Sequence, residues 1–150
     1  MKGELKILLV SPDLLATSRI AALARPLPAR VDTWRSLEGE PPAGPFDLVL
    51  LDLQGLPGDA AVIVARVAKL VERRPGEAGP SPKIVAFGPH VHKDRLADAR
   101  AAGADAAVSR GELLGSFPGL VRRWLDEALH GQAAPGSSST TSSSSVPSTS

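Results

Sequence analysis

The chain has 150 residues, 43% of them hydrophobic and 22% charged, which suffices for one domain with a real core. Its 17 basic and 16 acidic groups leave a net charge of +1, which argues against a dedicated nucleic-acid binder, since that needs a basic stripe to displace counterions. The absence of cysteine excludes disulfides, thiolate nucleophiles, iron–sulfur clusters and cysteine-ligated zinc, and three histidines leave little for an imidazole-built metal site.

The first four residues, Met1 to Glu4, lead into an apolar run from Leu5 to Val10 that is too short for a signal-peptide core or a bilayer span. A cytoplasmic location without a membrane partner is therefore expected. Ile7-Leu8-Leu9-Val10 reads as a strand, because it does not alternate apolar with polar; such runs suit strands covered on both faces. A helix over 12–25 follows, with Leu14, Leu15, Ile20 and Leu23 apolar, Ser11 as N-cap, Pro12 at the first helical position and Pro26 as the stop. Residues 29–34 do alternate, and read as an edge strand with one solvated face. The stretch 36–45 (SLEGEPPAGP) holds three prolines and two glycines, so a loop with at most one turn is expected where a helix would otherwise stand.

A third strand, Leu48-Val49-Leu50-Leu51, precedes a helix over 59–73 for which Asp59 is a candidate cap. The loop 75–82 (PGEAGPSP) leads into a fourth strand, Ile84-Val85-Ala86-Phe87. A helix over 91–102 ends at Gly103, a fitting C′ glycine. The weaker run Ala106-Ala107-Val108 is the last strand. The final helix, 117–129, has the clearest 3.6-residue stripe (Leu120, Val121, Trp124, Leu125, Ala128), with Ser116 as its cap. Residues 137–150 contain twelve Ser or Thr among fourteen and no charge, so the folded domain is assigned to 1–130 and a disordered Ser/Thr-rich tail to 131–150. That tail is a flexible extension, a linker remnant or a modified segment; the sequence does not choose among them. Strands alternating with helices give a doubly wound α/β domain.

In an open parallel sheet, ligands sit beyond the carboxyl ends of the strands. The segments that decide function are then Ser11–Asp13, Asp52–Gly55, Gly88–His90 and Ser109–Gly111. Val10-Ser11-Pro12-Asp13 is no GxGxxG, and neither GxxxxGK[ST] nor GxSxG occurs, so dinucleotide, P-loop and hydrolase-elbow sites are set aside.

Phe46-Asp47-Leu48-Val49-Leu50-Leu51-Asp52-Leu53, Ala101-Ala102-Gly103-Ala104-Asp105-Ala106 and the opening Ile7-Leu8-Leu9-Val10 together resemble the receiver domain of two-component response regulators, over about residues 5–129. The resemblance implies a flavodoxin-like five-stranded parallel sheet of order 2-1-3-4-5, with the helix between strands 2 and 3 missing or shortened. It also implies phosphoryl transfer to Asp52, assisted by Mg²⁺ held by acidic residues, a hydroxyl side chain, a lysine and an aromatic switch. Carried over residue by residue, the acidic pair becomes Ser11 and Pro12, with Asp13 one step late. The hydroxyl position falls on Gly88, the lysine on Arg110 and the aromatic on Ala107. The proline after Asp52 stands five residues on, at Pro57, instead of four.

The first expectation is therefore a degenerate, non-catalytic receiver-like signalling domain that acts through protein contacts and needs no cofactor. Its partners would be a histidine kinase or an effector domain, with a homodimer also open, and neither nucleic acid nor membrane. The helices over 91–102 and 117–129 with the last strand are the surface that the resemblance suggests for docking. The alternative is a functional receiver that accepts phosphate on Asp52, with Asp13 and Asp52 holding Mg²⁺ atypically. A small-molecule binder using the room at Gly88 is a third reading. Asp13 is either a displaced metal ligand or a carboxylate facing a helix N-terminus; Arg110 either binds an anion or pairs with Asp52, and the pairing is preferred. His90 and His92, and the doublets Arg73-Arg74 and Arg122-Arg123, read as solvated. Trp124 reads as core and Trp34 as a partly exposed anchor.

Overall fold

Five parallel strands, β1 (Leu5–Val10), β2 (Ala29–Trp34), β3 (Leu48–Asp52), β4 (Lys83–Gly88) and β5 (Ala106–Ser109), form one sheet of order β2-β1-β3-β4-β5 in the computed structural model. The structure describes residues 4–133 apart from 74, 77, 78 and 80, with side chains to residue 127; Arg74, the side chain of Ala128 and the tail beyond 133 lie outside the described residues. The aliphatic runs occupy the centre. All five residues of β3 are buried, as are the last four of β1 and the last five of β4. β2, which alternates, is an edge strand and only its last residue is buried.

Side chains one apart on a strand point to opposite faces, so the sheet builds two cores. On one face Leu8, Val10, Val49, Leu51 and Ala86 meet α2 (Ala60–Val71) and α3 (Lys93–Ala101), through Ile63, Val64, Val67 and Ala99. On the other, Ile7, Leu9, Leu48, Leu50, Val85 and Phe87 meet Ile20 of α1 (Leu14–Ala24), Leu113 of α4 (Arg110–Gly115) and Phe117, Val121 and Trp124 of α5 (Phe117–Ala133). Trp124 is 1% exposed, in the core as its stripe predicts. The flavodoxin-like arrangement is the one expected, including the absent helix between β2 and β3. There the chain runs as a Pro-rich loop, tethered by Arg66 of α2, whose guanidinium donates to the Leu37 carbonyl at 2.8 Å.

Helix ends depart from expectation in instructive ways. α1 starts at Leu14, and its cap is Asp13, whose Oδ1 accepts from the Leu15 and Ala16 amides. Ser11 is not the cap and Pro12 is not helical, because the Ser11 hydroxyl is drawn into the sheet end instead. Asp59 stands at the N-cap of α2 by conformation, but its side chain makes no capping bond. α3 ends as the glycine suggests. Gly103 has φ +120°, the Ala104 amide donates to Ala99 O and the Gly103 amide to Arg100 O, the paired bonds of a Schellman motif. The short helix α4 was not foreseen; Ser109 caps it by accepting from the Glu112 amide at 3.0 Å. Trp34 is 5% exposed and packs on the α2 side, so it is core rather than a partly exposed anchor; Leu37 of the loop after it packs against the same cluster. Among the described residues no helix is long and apolar enough to cross a membrane.

Candidate functional site

The site grows from strand register. Val10 is paired with Leu51, so the next residues, Ser11 and Asp52, come side by side where β1 and β3 end. Gly88 is paired with Ser109, which brings Arg110, the first residue of α4, to the same end of the sheet. Ser11, Asp13, Asp52 and Arg110 thus converge from three separate segments, and all four were singled out in the sequence.

Asp52 is fully buried, at 0% exposure. Its Oδ2 accepts from the Ser11 hydroxyl at 2.7 Å. Its Oδ1 accepts from the Gln54 and Gly55 amides, each at 3.1 Å, and from the Arg110 guanidinium at 3.3 Å. A buried carboxylate is tolerated only when its charge and lone pairs are met, and these four donors meet them. Ser11 is itself at 0% exposure, and its oxygen also accepts from the Asp13 amide at 3.1 Å. Over this set lies Pro12. A β-carbon built at Gly55 would stand 2.9 Å from Pro12 Cδ and 3.0 Å from Asp52 Oδ2, so glycine is what allows the loop, the proline ring and the carboxylate to meet.

Arg110 is shared. One terminal nitrogen reaches Asp52 and the other reaches Asp13 Oδ2 at 3.4 Å, and the guanidinium carbon lies 5.9 Å from the Phe87 ring centroid. Its Nε is buried without a hydrogen-bond partner, so the two carboxylates and the ring account for its place. The Asp13 carboxyl is held below the usual carboxylate range, chiefly by the Ala16 amide and further by the Leu15 amide and Arg110, against a partial loss of solvation.

The other positions marked in the sequence fall where expected along the chain but do not join this network. Gly88 is buried at the end of β4; a β-carbon there would meet only Leu53 Cβ, at 3.7 Å, so packing leaves room for a side chain. Ala107 is half-buried on β5 and packs against the α2–α3 side of the sheet. His90, His92, Arg122 and Arg123 are exposed. Sequence reasoning missed Arg95 of α3. Its guanidinium donates to the carbonyls of Leu53, at 2.6 Å, and Gly58, at 3.0 Å, and so pins the loop that follows Asp52. A lone arginine on a polar helix carries no sequence signal for that role.

The receiver resemblance implies Mg²⁺ beside the acceptor, and the residues present do not fit it. Asp13 spends one oxygen on the helix cap and the other on Arg110; both oxygens of the buried Asp52 carboxylate are already hydrogen-bonded, and Pro12 has no side-chain ligand atom. A further cation about 4 Å from the guanidinium would meet a repulsion of about 4 kcal/mol per unit charge at an effective dielectric of about 20. Among the described residues no group of three or more His, Asp or Glu side chains is placed to hold a metal.

No family model matches the chain, and no curated protein matches it in sequence. Solved structures do match. A two-component response regulator from Clostridium difficile superposes with a TM-score of 0.66 at 16% identity, over 82% of this chain and 97% of that one. A CheY-like response regulator receiver domain protein from Methanospirillum hungatei gives 0.64 at 18% identity, over 85% and 98%. The signal receiver domain of an HD domain-containing protein from Pseudomonas fluorescens gives 0.63 at 17%, over 89% and 95%. The sheet order, the two helical layers and these superpositions agree: the chain has the fold of response-regulator receiver domains.

Proposed function

We propose that the chain is a receiver-fold signalling domain that works through protein contacts, without enzymatic activity and without accepting a phosphoryl group on Asp52. The observation that carries this reading is the closed state of that carboxylate. Phosphoryl transfer needs a free carboxylate oxygen in line with the donor and positive charge on the transferring oxygens. Asp52 offers no accessible oxygen, and the nearest cation is already committed to it. Gly88 and Ala107 supply neither a hydroxyl nor an aromatic ring to turn a modification into a second conformation, and a ligand without differential contacts in two states shifts nothing.

A partner protein, a kinase or an effector, is the natural counterpart of such a domain. One fold neighbour is from the co-crystal of the Saccharomyces cerevisiae phosphotransfer protein Ypd1 with the receiver domain of Ssk1, and another is the dimeric NtrC4 receiver domain. Exposed large apolar side chains among the described residues are Leu14 and Leu15 at the start of α1, Val62 and Leu70 on α2, and Val91 just before α3. The folded unit in this reading works in the cytoplasm and extends past the expected boundary at 130, since α5 runs to Ala133, with the Ser/Thr-rich stretch 137–150 as an appendage.

The test is incubation with acetyl phosphate or beryllofluoride in Mg²⁺, read by intact mass and by amide NMR, for wild type and Asp52→Asn. No adduct and no shift at Ser11, Asp52 or Gly88 is expected. An adduct or shift present in wild type and lost in Asp52→Asn would overturn the proposal in favour of a working receiver with an atypical metal site.

A further inference from the structure

We infer that the Arg110 guanidinium is a built-in cation standing where a divalent ion would otherwise bridge Asp13 and Asp52, so that this domain is independent of metal by construction. The inference rests on the closed-site reading above and goes further, because it names what does the ion's electrostatic work. Two carboxylates from different segments, Asp13 after β1 and Asp52 at the end of β3, both aim an oxygen at one cationic group, at 3.4 and 3.3 Å. Neither acid has another cationic partner among the described contacts. The cation is anchored independently of them: Arg110 opens α4, whose backbone is fixed by the Ser109 cap, and its planar group lies against Phe87. A guanidinium suits this post. It keeps its charge at any working pH and offers two forked donors to two separate carboxylates, which an ammonium does less well. The two terminal nitrogens make its hydrogen bonds to the acids, and the Nε makes none.

The consequence is a latent site. Removing the guanidinium leaves Asp13 and Asp52 without the one cation they share, and carboxylate oxygens with coordinated water are what a hard divalent cation takes. The Arg110→Met chain should therefore gain divalent-cation affinity that wild type lacks, while Arg110→Lys, which keeps a positive charge, should not.

The experiment uses Mn²⁺ and Mg²⁺ on the full chain, with circular dichroism to confirm that each variant is folded. Mn²⁺ binding is followed by loss of its free EPR signal, and its place by paramagnetic broadening of amide resonances. Arg110→Met should bind Mn²⁺ at least tenfold more tightly than wild type, broaden Ser11, Asp13 and Gln54, and recover thermal stability in millimolar Mg²⁺. Adding Asp52→Asn should abolish this. Wild-type broadening at the same amides, or a folded Arg110→Met chain with no gain in Mn²⁺ affinity, would overturn the inference. The second result would leave the proposed function untouched; a phosphoryl adduct on wild-type Asp52 would remove that function whatever the metal data show.

Discussion

Closing the site depends on Gly55, and replacing it with alanine tests the closure directly. Its φ is not in the left-handed region, so alanine meets no backbone penalty and any cost comes from contact. The added methyl would lie 2.9 and 3.1 Å from two atoms of the Pro12 ring and 3.0 Å from Asp52 Oδ2. Neither neighbour yields easily. The proline ring is rigid, the carboxylate is held by four donors, and the Gly55 amide is one of those donors, so the loop cannot retreat without losing a bond at 3.1 Å. Overpacking of this kind costs roughly 1–3 kcal/mol, and about 2 kcal/mol in a domain of this size lowers Tm by roughly 6–10 °C. Gly88→Ala is the matched control at the neighbouring strand end. There the methyl finds only Leu53 Cβ at 3.7 Å, so the reduced freedom of the unfolded chain should dominate and stabilise by about 0.5 kcal/mol. Urea unfolding reads both, followed by fluorescence of Trp34 and Trp124, which are buried on opposite faces of the sheet. The reasoning is refuted if Gly55→Ala lies within about 0.5 kcal/mol of wild type, or if Gly88→Ala is the more damaging of the two.

Ser11→Ala removes the 2.7 Å donor to buried Asp52 and should cost about 2 kcal/mol in the same urea assay; a loss near zero would mean that water or Arg110 takes its place. Asp13 has a folded pKa below its ordinary value of about 3.9, so its stabilising contribution is present above that value and disappears as pH falls through the lowered folded one. Asp13→Asn keeps a capping side chain but has no charge, so its stability deficit relative to wild type should shrink with acidification below about pH 4; a deficit that stays constant there contradicts the assignment. Arg95→Ala releases two carbonyl contacts and should speed hydrogen exchange at Gln54 and Gly55 while leaving the β1 and β4 amides protected, with a cost of about 1–2 kcal/mol. Uniform acceleration over the whole sheet would mean instead that Arg95 supports the global fold.

The aliphatic runs at 7–10, 48–51 and 84–87 were enough to place the inner strands, because an uninterrupted apolar stretch of that length has nowhere to go but between two layers. Gly103 announced its helix end, and the prolines of 36–45 announced the missing helix, since both act through local backbone geometry. The candidate site was half legible. Asp52, Asp13, Ser11 and Arg110 could be marked from the position of strand ends, and so could the pairing of Arg110 with Asp52 and the place of Asp13 at a helix N-terminus; the role of Ser11 and the sharing of Arg110 between two carboxylates could not. Ser11 left its expected capping role because strand register sets its hydroxyl against Asp52, 41 residues away. Arg110 bridges partners 58 and 97 residues distant. Arg95, Pro12 and Gly55 likewise act only through groups that the chain brings together after folding. Hydrophobic period and turn chemistry are properties of neighbours in sequence and fix the strands and helices. That one cation serves two carboxylates at once, with the Ser11 hydroxyl beside them, is a property of the packed sheet end, and only the tertiary structure decided it.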